Sequence, residues 1–322
     1  MSTLTHHAEP IAVMSPTWPS SHAAPQVPAY AEGVERFVRA AGHAGRMMPA
    51  VVHDALVDFT DNAHQSGALL LRGLPVGELP ATPATPTTPA DKDSISEFTL
   101  LTIARRLGQP VGYLPEHGGD LVQNIVPTRA ALDRQVSTSS KVQLMFHTEA
   151  AFHPHRPRYL LLLCLRGDPA AHTTLSSIFE VLPQLSADVV DVLFQPRFRT
   201  AVDESYLDGH SNVLGDPMPV LSGDRRRPTM VFDADLMVGI DEAADDAIRI
   251  LGAATAACHT SVVLETGDLL VVDNAVAVHG RSPFTARFDG ADRWLQRSFV
   301  VTDLLVSAAD RRGRVITTQF GD

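Results

Sequence analysis

From Leu121 onward the chain is a succession of short apolar or alternating runs: LVQNIV, KVQLMFHTEAAF, RYLLLLCL, TTLSSI, PTMVFDADLM, LLVVDNAVAVHG and RWLQRSFVV. Runs of this length, rich in Val, Ile, Leu, Phe and Thr and bounded by turn formers, fit strands rather than helices. Helical spacing interrupts them only at about Ser186 to Phe194 and Asp241 to Cys258. A chain patterned this way is expected to be mainly β with flanking helices, a barrel or sandwich with the helices packed outside.

Upstream, apolar residues recur at helical spacing from Tyr30 to about His64, which predicts two amphipathic helices split near Gly42 to Pro49. GALLLRGLP, from Gly67 to Pro75, reads as a strand, and Ser94 to Leu107 as a helix. The Pro/Thr-rich stretch 76–92 lacks many backbone donors and is expected to be an extended loop. Residues 203–224, rich in Gly, Asp and Pro, form a second long loop of the kind from which lids are made. The expected organisation is a mobile N-terminal tail over 1–28, in which His6 and His7 are unstructured, followed by one catalytic domain over 29–322.

With 322 residues and 44% hydrophobic content the chain can bury a full core. A net charge of −11 argues against nucleic acid as partner, since that binding rests on clustered Lys and Arg. A small molecule is the better expectation. Cys164 and Cys258 lie far apart without Cys-x-x-Cys spacing, so neither a disulfide framework nor a thiolate zinc site is suggested, and a cytoplasmic location fits. The first residues lack a basic start followed by a continuous apolar stretch, and nowhere does an apolar run approach the ~20 residues of a membrane span.

His147-Thr148-Glu149 closes the apolar run VQLMF. Side chains on a strand alternate, so His147 and Glu149 are expected on one face and Thr148 on the other. His279, at the end of LLVVDNAVAVHG, is the best third ligand. Two His and one carboxylate on one face of an iron(II) ion leave its opposite positions free for substrate and oxygen. By itself His-x-Glu is a common pair, and a core histidine is its plain alternative. His153-Pro-His155 is a competing pair, but the proline breaks the strand and assigns it to a loop. After His279, Arg293 and Arg297 are evenly separated on a strand-like run, so both face one way with Leu295 between them. Guanidinium is the natural bidentate partner of carboxylate, and two inward arginines beside a metal suggest two bound carboxylates.

FHTEAAFHPHRPRYLLLLCLRGD and LLVVDNAVAVHGRSPFTARFDGADRWLQRSFVV, in that order, resemble the clavaminate-synthase-like iron(II)/2-oxoglutarate oxygenases. The branch that hydroxylates free amino acids such as arginine, asparagine and lysine is the nearer match, over Gly67 to Phe320. The resemblance implies a distorted double-stranded β-helix, or jelly roll. It implies that His147, Glu149 and His279 bind Fe(II), with 2-oxoglutarate as cosubstrate and O2 as oxidant. Arg293 would pair with the C5 carboxylate of 2-oxoglutarate, with Thr174 as its hydroxyl helper. Arg297 would receive the substrate α-carboxylate, with Ser137 as a second candidate, and Gln123 and Glu149 would meet the substrate amino group.

In VFDADLM, Asp233 and Asp235 stand two apart on a strand-like run, so both are expected to point one way. Like carboxylates facing a pocket repel unless a cation sits between them, which predicts a basic substrate side chain. An aspartate that caps a turn is the alternative. VDESYLDG, PMPVLSGD and VFDADLMVGI resemble most the lysine-hydroxylating members, which places L-lysine first, hydroxylated at C3 with C4 as the alternative, and L-arginine second. Two rivals come from other classes. A zinc hydrolase would be expected to carry a helical His-Glu-x-x-His, which is absent, and a non-catalytic jelly-roll binding protein would not need the triad and Arg293 together.

Overall fold

The computed structural model describes residues 11–14, 30, 33–62, 64–207 and 209–321. Helices α1 (Val34–Ala44), α2 (Ala50–Asn62) and α3 (Ile95–Leu107) stand where the spacing predicts. α1 and α2 are parted by a single 3-10 turn at Gly45–Met47 and by Pro49, which has no N–H to continue the ladder. Gly108 ends α3, where any Cβ would lie 2.4 Å from the Val301 carbonyl oxygen. The tail expected over 1–28 lies outside the described residues except at Ile11–Met14. Those four residues are a strand running parallel to Ala68–Arg72, a partnership that no local pattern announces. Three further helices, α4 (Ile178–Val181), α5 (Ala187–Leu193) and α6 (Glu242–Ala257), fall in the second half.

Two larger open sheets and two two-stranded sheets make up the β structure of the described residues. The larger sheet contains β1 (Ile11–Met14), β2 (Ala68–Arg72), β3 (Gln109–Tyr113), β4 (Gln123–Ile125), β6 (Tyr159–Arg166), β13 (Leu269–Asp273), β15 (Trp294–Val301), β16 (Arg311–Arg312) and β17 (Val315–Ile316). Its order is β1-β2-β13-β6-β15-β3-β17-β16, with β4 also paired to β15. The smaller sheet is β12-β7-β14-β5, formed by Thr260–Val263, His172–Ser177, Ala277–Arg281 and Leu144–His147. β8 (Phe198–Thr200) pairs with β11 (Met237–Gly239), and β9 (Leu221–Asp224) with β10 (Arg227–Met230).

Three apolar clusters order these parts into layers. One joins α1, α2 and α3 to the outer face of the larger sheet through Leu161, Leu163, Trp294 and Val300. A second lies between the sheets and holds Leu160, Leu162, Leu295 and Phe299. The third packs Phe146 and Val278 of the smaller sheet against α4, α5 and α6. β6 and β15 therefore give alternate side chains to two buried faces, which is why their sequences are almost continuously apolar.

LLVVDNAVAVHG is not one strand. It breaks at Asp273–Val276 and passes from the larger sheet as β13 to the smaller as β14, so the third candidate ligand stands opposite the arginines of β15. Residues 76–92 form neither helix nor strand. They are nonetheless pinned: Thr82 donates from its N–H to the Gly290 carbonyl at 2.7 Å and from its hydroxyl to the Asp292 carbonyl at 2.7 Å. Within 203–224, Glu204–Tyr206 is a 3-10 turn, residues 209–217 are exposed, and the end is β9. No helix among the described residues is long and apolar enough to cross a membrane.

Candidate active site

His279 and His147 are direct register partners on β14 and β5, with ring centroids 4.2 Å apart. The His147 Nδ1 lies 2.8 Å from the Met145 carbonyl oxygen; as donor there, it leaves Nε2 free to ligate. His279 Nε2 lies 3.6 Å from Glu149 Oε2, and one ligand atom from each of the three residues falls within 4.8 Å of the others. β5 ends at His147, so Glu149 stands on the turn beyond it rather than on the strand, and tertiary contacts instead of alternation aim its carboxylate. Burial, then the neighbouring His147 and Arg297, holds His279 well below the usual histidine range, so its imidazole is neutral. Two imidazole nitrogens and one carboxylate oxygen fit a divalent first-row ion.

Arg293, Leu295 and Arg297 all line the cavity between the sheets, while Trp294 and Gln296 face away from it, as even spacing predicts. Arg293 is buried and has no carboxylate partner among the described residues; its one hydrogen bond is a 3.4 Å contact from Nη2 to the Thr173 hydroxyl. The expected helper was Thr174, but alternation along β7 turns that side chain to the opposite face. Thr173 pairs with Arg281 and Leu175 with His279, so it is the odd-numbered residues of β7 that share the cavity face.

Arg297 makes four contacts with its five N–H groups. Its Nε and Nη2 donate to Gln123 Oε1 at 2.9 and 2.6 Å, Nη1 donates to Glu149 Oε1 at 3.4 Å, and Nη2 is ion-paired with Glu116. Gln123, expected at the substrate amino group, is not on the cavity wall but behind Arg297, its register partner, holding the guanidinium in place. Glu116 does line the cavity. Its burial pushes the carboxyl up to about 7 in spite of Arg297 beside it.

The cavity has a volume of about 460 Å³, and Ser137, Asp233 and Asp235 lie on its wall as expected. The aspartates do not share a strand face. They sit on a turn between β10 and β11, where Asp233 Oδ1 accepts from the N–H of Asp235 and of Leu236, each at 2.9 Å. Asp233 is thus the turn-capping aspartate that was the alternative reading, and its carboxyl is raised chiefly by burial. Neither residue has an ion-pair partner among the described residues. Asp203 adds a third carboxylate to the wall, and Tyr206 a buried hydroxyl with no hydrogen-bond partner among the described residues. His153 and His155 belong to a loop, with His153 Nδ1 accepting from the His155 N–H at 2.9 Å.

Glu116, Asp203, Tyr206, Thr173 and Arg281 are functional candidates beyond those expected. For Arg281 a signal was present, since it stands two residues after His279 and so on its face. Its guanidinium donates to the Ser139 carbonyl and hydroxyl and to the Val142 carbonyl, and burial beside Arg293 lowers it to about 9. Glu116 follows no period and is found only once β3 and β15 are side by side.

This arrangement, two histidines and a carboxylate between sheets with an unpaired arginine beside them, is that of an oxygenase, and the chain belongs to the taurine catabolism dioxygenase TauD, TfdA family, which it matches over residues 41–299. Among its relatives, the L-asparagine oxygenase of Streptomyces coelicolor is 42% identical over 283 residues, 85% of this chain and 83% of that protein. The L-lysine 3-hydroxylase of Catenulispora acidiphila is 39% identical over 281 residues, 85% of this chain and 78% of the relative. A solved asparagine oxygenase in complex with Fe(II), 2S,3S-3-hydroxyasparagine and succinate superposes with a TM-score of 0.86 at 39% identity, covering 92% of this chain and 94% of the other.

Proposed function

We propose that this chain hydroxylates a free basic L-amino acid in an iron(II)- and 2-oxoglutarate-dependent reaction, with L-lysine at C3 as the first choice, C4 as the alternative carbon and L-arginine as the alternative substrate. Residues 29–322 act as one catalytic unit in this reading, its two sheets are the distorted jelly roll, and 203–224 is its lid. His147, Glu149 and His279 would hold the iron, which when bound supplies the oxygen chemistry, coupling O2 to the conversion of 2-oxoglutarate into succinate and carbon dioxide. Every other task falls to the protein, which must present one C–H bond in a fixed place.

Arg293, a buried cation with no carboxylate partner among the described residues, is suited to the C5 carboxylate of 2-oxoglutarate, with the Thr173 hydroxyl beside it. Arg297 would take the substrate α-carboxylate, Glu116 and Glu149 the α-ammonium, and Ser137 a polar contact at the same end. The observation that carries the choice of a basic side chain is the acidic wall. Asp203, Asp233 and Asp235 face the cavity and no cation of the chain is paired with Asp233 or Asp235 among the described residues. Similarity to the lysine 3-hydroxylase points the same way. A second reading, a neutral substrate such as asparagine, is favoured by the 42% identical asparagine oxygenase, because a carboxylate also accepts from a carboxamide N–H.

The test is incubation of the purified protein with iron(II), 2-oxoglutarate, ascorbate and each common L-amino acid, followed by mass spectrometry for a gain of one oxygen. Lysine or arginine is expected to gain it. Oxygen gained by asparagine alone replaces the basic substrate with the neutral one, and no product from any amino acid overturns the reading. Asp233→Asn with Asp235→Asn should cut the preference for a basic over a neutral side chain at least tenfold, about 1.4 kcal/mol in transition-state terms; an unchanged preference removes the acidic wall as its cause.

A further inference from the structure

Glu149 is aimed by something other than its strand, because β5 ends two residues earlier. The residue after it, Ala150, has φ of 52°, a left-handed conformation that is strained for a non-glycine residue and persists only where surroundings impose it. The Ala150 and Ala151 carbonyls accept from the His153 N–H and from Arg156 Nη1, each at 2.9 Å, and Glu149 itself is gripped on both sides of its peptide unit by one side chain. Asn274 Oδ1 accepts from the Glu149 N–H at 2.7 Å, and its Nδ2 donates to the Glu149 carbonyl at 3.1 Å and to the Pro157 carbonyl at 2.9 Å. Asn274 is 2% exposed, and its own N–H donates to the Arg158 carbonyl at 2.9 Å. Its neighbour Asp273 accepts from the Ala275 N–H at 3.1 Å and from Arg158 Nη2 at 2.6 Å, which makes the turn a rigid base.

That turn joins β13 to β14, and His279 follows five residues later on β14. One carboxamide therefore spans the two chain segments that carry Glu149 and His279. We propose that Asn274 is a positioning residue for the metal site: it holds the backbone of the carboxylate ligand at a fixed offset from the strand that carries the distal histidine. Only an amide satisfies all three contacts. An aspartate retains the acceptor for the Glu149 N–H but sets an oxygen against two carbonyl oxygens, and alanine leaves all three groups unpaired in a buried place. Without the clamp, Ala150 relaxes toward ordinary backbone and the carboxylate loses its aim.

The inference rests on His147, Glu149 and His279 being the metal ligands, and its test separates the two. Co(II), a spectroscopic stand-in for a divalent ion, is titrated into the full-length protein, Asn274→Asp and Asn274→Ala, following the visible ligand-field bands that report coordination geometry. Thermal unfolding of each metal-free protein is measured alongside. The expected result is a 10- to 100-fold weaker Co(II) affinity with altered bands in both variants, the usual effect of losing a group that orients a ligand. A lower unfolding midpoint with unchanged Co(II) affinity and bands is what a merely structural role gives, and it overturns the proposal alone. No Co(II) bound by the unmodified protein overturns the metal reading and this inference with it. Should neither variant fold, hydrogen exchange in the unmodified protein decides: protection of the Glu149 amide is expected without metal, and exchange as fast as in an open loop overturns the clamp.

Discussion

Glu116 sits where a buried acid, a buried arginine and the α-ammonium of an amino acid would meet, so its protonation state sets the charge of the substrate end. Burial raises its carboxyl to about 7, so it is largely neutral below that pH and ionised above it. An ammonium group prefers the ionised form. The KM for the amino acid should therefore fall as pH rises through about 7, and Glu116→Gln should raise the KM and flatten that dependence; an unaltered profile in the variant assigns the titration elsewhere. At the other end, Arg293→Leu removes a charge-assisted contact worth about 1.5–3 kcal/mol, which is ~10- to 150-fold in the KM for 2-oxoglutarate. The KM for the amino acid should move far less. At this scale alternation was a good guide to the way Arg293 and Arg297 face; Thr174 was matched by resemblance, without counting parity from His279, and alternation itself points to Thr173. Asp233 escaped the pattern because hydrogen bonds to two backbone N–H groups turned its segment out of the strand.

β15 carries both arginines on one face, and its other face is bolted to the helix layer. Gln296 Nε2 donates to Glu97 Oε1 at 2.7 Å, and Lys92 Nζ meets Glu97 at 2.9 and 2.7 Å. Trp294 Nε1 donates to Asn124 Oδ1 at 2.8 Å, and Asn124 Nδ2 donates to the Thr88 hydroxyl at 2.8 Å. The Pro/Thr-rich loop thus ends in the machinery that sets the register of β15. Glu97→Met would leave the Lys92 ammonium buried and unpaired, at a cost of about 3–5 kcal/mol in denaturant unfolding. Adding Lys92→Met should return most of it, since a buried ion pair is often replaceable by apolar groups of similar size. Equal destabilisation by the single and double variants would show that the pair is not coupled. Helices α1, α2 and α3 and strands β2 and β6 were legible because each buries a face whose period is local; β1 and β17 are short and pair with strands distant in sequence, and β16, two residues long, pairs with β17.

At the scale of the molecule the cavity exists only because two sheets face each other, one supplying histidines and the other arginines. Glu204, in the segment proposed as a lid, is ion-paired with Arg134 at 2.6 Å, and Arg134 lines the cavity. If the segment closes over bound amino acid, limited proteolysis within 209–217 should slow severalfold when substrate, 2-oxoglutarate and metal are added together. Cleavage at an unchanged rate would assign it to plain surface loop. Ligands that bind only the folded chain should also stabilise it, by about 2.7 kcal/mol at a hundred times Kd.

The sequence by itself determined the β-rich class, the positions of α1, α2, α3, α5 and α6, and the three candidate ligands His147, Glu149 and His279, because alternation, helical period and ligand chemistry are properties of neighbouring residues. Tertiary structure alone decided the break that carries His279 from one sheet to the other and the carboxamide of Asn274 that aims Glu149. It also decided the pairing of Glu116 with Arg297. Those features join residues more than a hundred positions apart, through hydrogen bonds and burial that no local period encodes.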